Sequence, residues 1–175
     1  MFAVNDKVVY PGHGVAIIVN VVLQNIAGTL TRCYELKFLN KDMKILVPVH
    51  NAIAVGIRPL STQQYVADAL KILAEPARRL SKYEFTASSW TRRYKKCLDE
   101  MRTGDIKKIS EIYRDLTFIQ TQKELSFGEK NLLLQTENLL VEEISLVRQL
   151  PQDKAVEQLR SMCVFKTKGL KPKEL

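Results

Sequence analysis

The chain changes its periodicity near residue 60, and this change constrains its fold more than any other feature. Before residue 60, short segments rich in Val, Ile, Tyr and Phe are separated by Gly, Pro, Asn and Asp, as in successive strands and turns. After Pro59, apolar residues recur every three or four positions, which is typical of helices. We therefore expect a β-rich domain over residues 1–60, a helical domain over residues 61–164 and a basic, flexible tail over residues 165–175.

The β-rich segment should form one small antiparallel sheet. Alternation with a period of two marks residues 30–39 as a half-buried strand, in which Arg32, Tyr34, Leu36 and Phe38 alternate with Thr31, Cys33, Glu35 and Lys37. Five short strands leave too few residues for two layers, so they predict a strongly bent sheet or barrel. The expected strands are residues 8–10, 15–24, 30–39, 44–48 and 53–57.

Five helices are predicted after residue 60. Capping residues and helix breakers set their limits, and the short joints between them favour a compact antiparallel helical domain. The first helix covers residues 64–74 and ends before Pro76, and the second, capped by Ser88 or Ser89, runs from Trp90 to about Arg102. Asp105 caps the third helix, and Ser126 and Glu129 form a capping box at the start of the fourth. Pro151 starts the fifth, which runs to about Val164.

The charge of the chain favours an anionic partner. There are 27 Lys and Arg against 19 Asp and Glu, a net charge of +8, and residues 78–96 form its most basic segment. The N-terminus does not resemble a signal peptide, and no apolar run approaches the ~20 residues of a membrane helix. Three scattered cysteines match no disulfide framework or zinc spacing. We expect a cytoplasmic protein with reduced thiols in its core and no membrane contact.

Residues that support catalysis are scarce. His13, in a Pro-Gly-His-Gly turn, and His50, after a strand, have no partner at a motif spacing. The turn leads into a strand rather than a helix N-terminus, so it is not a phosphate loop. The sequence therefore predicts a binding protein that is not an enzyme and that holds no metal or cofactor.

Trp90, the only tryptophan, lies within the densest run of positive charge, residues 88–96. Cations beside a large flat ring suit nucleic acid, because the cations neutralise phosphates while the ring stacks on bases or wedges between them. The alternative is packing. Trp90, Tyr94, Cys97, Leu98 and Met101 recur at spacings of three and four, so the ring can instead begin an apolar stripe that faces the core.

Two groups of segments resemble a known family. The first is residues 5–15 (NDKVVYPGHGV), 34–37 (YELK) and 44–49 (KILVPV), which resemble the RNA-polymerase-interacting module shared by CarD/CdnL-type regulators and the transcription-repair coupling factor. The second is residues 89–95 (SWTRRYK), 104–105 (GD), 114–116 (RDL) and 125–130 (LSFGEK), which resemble the helical DNA-binding domain of CarD/CdnL. The second group, together with the lack of a P-loop, favours the regulators over the coupling factor.

The resemblance implies an α+β protein, with a Tudor-like bent sheet or barrel followed by an all-helical domain. It implies a bacterial transcriptional regulator, a monomer, that stabilises the promoter open complex. Trp90 would enter the minor groove at the upstream edge of the bubble, largely without sequence preference. The expected phosphate contacts are Arg92, Arg93, Lys95, Lys96 and Lys130, although Arg93 and Lys130 can also be parts of a solvated face.

The resemblance also implies that the sheet binds the β subunit of RNA polymerase by extending a strand edge. The residues expected there are Gln24, Ile26, Arg32, Lys44, Leu46 and Pro48. Family members carry arginines where this chain has Gln24 and Leu46. Either the interface is more apolar here, or Arg32 or Lys44 replaces the missing cations. The alternative function is a protein adaptor that uses both domains for protein partners and does not contact DNA.

Overall fold

The computed structural model describes residues 2–77 and 87–163, which form an antiparallel sheet followed by helices. This confirms the predicted α+β class. The strands are β1 (Lys7–Tyr10), β2 (Gly14–Ile26), β3 (Thr29–Phe38), β4 (Lys44–Pro48) and β5 (Arg58–Pro59). Their order is β4-β3-β2-β1-β5, so the sheet is open, with β4 at one edge and β5 at the other.

The longest hairpin joins β2 to β3. Ala27 and Gly28 form its two-residue turn, and both have positive φ, 51° and 84°, as a tight hairpin turn of the primed type requires. Pairing continues from the turn to Ala16 and Phe38, with one irregularity between Ile18 and Asn20. Such an irregularity increases the local twist, which helps to bend a sheet of only five strands.

One detail of the predicted sheet is wrong. Residues 53–57 do not form a strand; the chain makes a short 3-10 turn at Val49–Asn51 and further turns up to Gly56, whose φ is 87°. The fifth strand follows at Arg58–Pro59 and pairs with Val8 and Val9 of β1. Cys33 is fully buried, which agrees with the prediction of a core thiol.

The described helices are α1 (Gln63–Ala74), α2 (Ala87–Met101), α3 (Ile106–Gln122), α4 (Phe127–Arg148) and α5 (Gln152–Met162). The predicted starts of two helices are confirmed. Asp105 caps α3 by accepting the Lys107 N–H at 2.9 Å, and Ser126 and Glu129 form the full capping box of α4. The predicted cap of the second helix is wrong, because α2 begins at Ala87, before Ser88 and Ser89. A third predicted start, Pro151, is confirmed, since this residue is the N-cap of α5.

The apolar residues form two clusters. One lies on the sheet around Ile18 and Leu36, and the other joins the helices around Leu73, Leu140 and Ile144. The apolar residues of α3 that repeat every three or four positions are all buried: Ile106, Ile109, Ile112, Tyr113 and Leu116. The predicted tail, the predicted end of the fifth helix at Val164 and the cations at positions 78, 79 and 82 lie outside the described residues.

A polar joint connects the sheet to the helices. Arg58 of β5 donates two hydrogen bonds to the Glu143 carboxylate of α4, at 2.7 and 2.8 Å, and two to the Gly104 carbonyl, at 2.9 and 2.6 Å. The backbone N–H of Ser61 donates to the same carboxylate at 2.9 Å. Pro11 packs against Gly104, where an added methyl group would lie 3.1 Å from the proline ring. The position of the helices relative to the sheet is therefore fixed by directional contacts.

Candidate DNA-facing surface and sheet edge

Trp90 lies in the first turns of α2, half-buried against the start of α4. A methyl group added at Gly128 would lie 3.3 Å from Cζ2 of the indole, so the glycine lets the ring approach the α4 backbone closely. The Tyr94 ring lies 5.4 Å from the indole, centroid to centroid, and the Arg93 guanidinium lies 5.6 Å from the indole centroid. The indole is held by these contacts, while part of it stays accessible.

The first turn of α4 is held firmly beneath the indole. Glu129, only 2% exposed, accepts the Ser126 N–H at 2.8 Å and pairs with Lys123 at 2.8 Å. Burial acts to raise the pKa of Glu129, but the hydrogen bonds from Lys123 and Ser126 outweigh it and lower the pKa. The carboxylate therefore stays ionised at neutral pH and keeps the capping box closed.

The predicted phosphate contacts divide into two groups. Arg92 and Lys95 are exposed and pair with no carboxylate in the described part of the chain. Lys96 lies 3.6 Å from Glu100, and Lys130 lies 2.8 Å from Glu124; both pairs are exposed and easily exchanged for other partners. Of the five predicted contacts, Arg92 and Lys95 are thus the two exposed cations that have no carboxylate partner among the described residues.

Arg93 differs from the other cations because its side chain is largely buried. It lies over the indole and 3.9 Å from Glu129, and its Nε is buried without an acceptor among the described residues. The arrangement makes Arg93 a support for Trp90 more than a free contact. Its role as a phosphate ligand stays a prediction.

The two interpretations of Trp90 that the sequence left open are compatible. Met101 is buried, and Cys97 and Leu98 pack beside the helical core, so the predicted apolar stripe exists. Trp90 begins the stripe, yet it is not fully enclosed. Burial raises the pKa of the Cys97 thiol to about 11, so this cysteine stays a neutral packing residue.

The predicted polymerase contacts fall on two faces of the sheet. Directly paired residues of neighbouring strands share a face. The pairs Gln24 with Thr31, Ile26 with Thr29, Leu46 with Glu35, Lys44 with Lys37 and Pro48 with Cys33 therefore place five of the predicted residues together. Arg32 pairs with Leu23 and lies on the opposite face. Of the two cations proposed as replacements, only Lys44 is thus on the side of Gln24 and Leu46, and it pairs with Glu35 at 3.0 Å.

The other face of the sheet carries an apolar groove for which the sequence has no local signal. It has a volume of about 690 Å³, and its walls include Phe2, Leu30, Tyr34 and Ile53. Leu30 and Ile53 are strongly exposed. Ile53 lies in the turns that the chain forms in place of the predicted strand at residues 53–57, and its side chain lines the groove.

The Pro-Gly-His-Gly turn has a packing role. Gly14 lies directly beside the buried carboxylate of Glu142 in α4, with no room for a side chain. Burial raises the pKa of Glu142, and burial together with the nearby Lys41 lowers the pKa of His13. Across residues 2–77 and 87–163, no three His, Cys, Asp or Glu side chains are grouped closely enough to hold a metal ion. Nor is any helix in these ranges long and apolar enough to cross a membrane.

Comparison with known families agrees with this architecture. Residues 2–61 match the CarD-like/TRCF RID domain, the RNA-polymerase-interacting domain, and residues 68–160 match the C-terminal domain of CarD. A sheet of this kind followed by this helical domain defines a class of transcription factors that interact with RNA polymerase. The chain belongs to the CarD family. It is also similar to a Bacillus subtilis (strain 168) protein named "Putative transcription factor YdeB", with 26% identity over 150 residues, covering 85% of this chain and 93% of that protein.

Proposed function

We propose that this protein binds the β subunit of RNA polymerase through its sheet and stabilises the promoter open complex through Trp90. The observation that carries the proposal is the half-exposed indole on a fixed support, with Arg92 and Lys95 free beside it. The sheet, over residues 1–60, would attach the protein, and the helices, over residues 61–164, would contact DNA. Because Arg58 joins the two parts, attachment at one would position the other.

Energetics favour a role at the edge of melted DNA. Inserting a ring between paired bases costs a few kcal/mol of unstacking, whereas at a bubble edge melting has already met this cost. Stacking on an available base then returns ~1 to 3 kcal/mol. Such a contact is gained only in the open state, so it shifts the equilibrium toward that state. This is the effect expected of a regulator of initiation.

The edge strand β4 supports the polymerase contact. Its outer side has no neighbour in the described sheet, so its backbone groups can pair with a strand of another protein. Leu46, in this edge strand, is exposed, and its pairing with Glu35 places it on the same face of the sheet as Gln24 and Ile26. We propose an interface that is more apolar than one built on arginines, with Lys44 contributing a charge if it leaves Glu35.

A direct test compares Leu46→Asp with Leu134→Asp, an equally apolar-to-acidic change on the exposed side of α4. Binding to purified bacterial RNA polymerase should be lost in the first variant, because an unpaired carboxylate is buried at the interface, and kept in the second. Equal binding by both variants would refute the assignment of the edge.

DNA binding separates the proposal from the alternative, a protein adaptor without DNA contact. The two free cations, Arg92 and Lys95, give a log-log salt slope of about 1.8 in magnitude, and about 3.6 if two paired cations also release their carboxylates. Cations that bind phosphates and a ring that stacks on bases carry little sequence information, so unrelated duplexes should bind alike. Binding that is absent, or that does not depend on salt, would favour the adaptor.

A further inference from the structure

Phe127, the first residue of α4, is exposed to an unusual degree. It is 81% exposed, more than any other large apolar side chain in the described helices. The first position of a helix does not require an apolar residue, and the core gains almost nothing from this ring. Single exposed apolar residues are common in proteins, so its surroundings must decide whether it has a role.

The surroundings place Phe127 beside the proposed DNA-facing surface. The next residue, Gly128, is the one against which the Trp90 indole packs. Lys130 lies three positions along the same helix, so it projects from the same side as Phe127. The Phe127 ring is therefore near both Trp90 and Lys130, in the first turn of α4, against which the indole packs.

The backbone that presents Phe127 is rigid. Ser126, just before it, is the helix cap, and Glu129, just after Gly128, closes the capping box and pairs with Lys123. Ordering a contact residue on binding costs free energy, and this cost falls when its backbone is already fixed. A phenyl ring with two side-chain torsions held in this way is suited to stacking.

Charge indicates the kind of partner. Arg92 and Lys95 are exposed on α2, the helix that carries Trp90, and Lys130 is exposed on α4, three residues after Phe127. Aromatic rings among cations match single-stranded nucleic acid, which offers flat bases on an anionic backbone. A protein interface would need a wider apolar area, but the next strongly exposed apolar residue of α4, Leu134, lies seven positions away, roughly 10 Å along the helix.

We propose that Phe127 is a second stacking residue, which contacts a base of the melted strand next to the site of Trp90. This inference rests on the proposed function and adds to it, because it extends the contact from one ring at the bubble edge to two. The surface would thus bind unpaired bases in preference to a closed duplex.

The test uses the full chain and two fluorescently labelled DNAs of equal length, one fully paired and one with a short mismatched bubble. Phe127→Ala should weaken binding to the bubble DNA by about 5- to 150-fold, the equivalent of one lost stacked base, and change binding to the paired DNA much less. Phe127→Leu should lose most of the same affinity, since it keeps apolar volume but removes the flat ring. Leu134→Ala, the matched control on the same helix, should bind both DNAs like the unchanged protein.

The outcomes separate this inference from the function on which it rests. If Phe127→Ala and Phe127→Leu bind bubble DNA normally while Arg92→Ala weakens it, Phe127 has no stacking role and the DNA-binding function stands. If either variant weakens binding to RNA polymerase without DNA, the ring faces protein and the inference is overturned. If the unchanged protein binds neither DNA in a salt-dependent way, the proposed function fails and the inference with it.

Discussion

Breaking the joint between the sheet and the helices should strongly destabilise the protein. In Arg58→Ala, the Glu143 carboxylate, with a side chain only 5% exposed, loses both guanidinium hydrogen bonds and keeps only the Ser61 N–H. The Gly104 carbonyl also loses its donors. Removing one partner of a buried ion pair costs ~3 to 5 kcal/mol, because the remaining charge is left without compensation.

The reverse change should cost less. In Glu143→Ala, the guanidinium that remains is on a side chain 25% exposed, and it keeps its bonds to the Gly104 and Pro59 carbonyls. Water can therefore replace part of the lost contact, and we expect a cost of ~1.5 to 3 kcal/mol. The double variant should cost clearly less than the two single costs added, with a coupling of ~0.5 to 3 kcal/mol.

Urea unfolding followed by circular dichroism measures all three free energies, and the thermal midpoint of Arg58→Ala should fall by roughly 6 to 20 °C. The control is Arg102→Ala, which removes an exposed pair with Asp99 and should cost less than about 1 kcal/mol. The reasoning is refuted if Arg58→Ala costs no more than this control, or if the single costs add without coupling.

Two more predictions concern single side chains. Trp90→Ala should shorten the open-complex lifetime about 5- to 150-fold through loss of a stacked base, with an unchanged affinity for polymerase. If the variant instead loses ~3 to 5 kcal/mol of folding stability, and its lifetime changes no more than this loss of folded protein explains, the indole is a core residue only. Glu142→Gln should stabilise the protein at neutral pH, because burial raises the carboxyl pKa and the folded protein is penalised once this group ionises. The penalty is absent below the ordinary pKa, about 4, and grows as pH rises through the raised value, so thermal midpoints of the two proteins should converge at acid pH and separate above it. Parallel midpoints at all pH values would contradict this cause.

Local signals explain what the sequence could predict. The caps of α3 and α4 depend on side chains within three residues of each helix start, so Asp105 and Ser126 identified them correctly. The position of the fifth strand was predicted wrongly because its two residues gain their conformation by pairing with β1, about 50 positions earlier, and not from their own sequence pattern. Nothing in the neighbourhood of Ile53 announced the turn except Gly56.

The site shows the same division. Trp90 and the cations of α2 could be selected from composition alone, because their kinds and spacing suit nucleic acid. Their different states could not. Arg93 is largely buried because it lies near Glu129 of α4, a contact between residues far apart in the sequence, and the burial of Glu129 and Glu143 contradicts the usual surface position of carboxylates. Likewise, nothing in the sequence around Gly128 indicates that the Trp90 indole packs against it.

The two ends of the sheet differ, and this difference limits how copies of the protein can associate. The outer side of β4 is an unpaired edge five residues long. The edge strand at the other end, β5, has only two residues, and one of them is Pro59, which lacks an N–H. A fibre built from sheets requires each unit to accept a neighbour on both sides. Here a second copy can pair with β4, but a third finds no strand to continue the ladder. Misassociation through the described sheet should therefore stop at two chains. The protein can thus keep an unpaired edge strand for a partner without forming fibres.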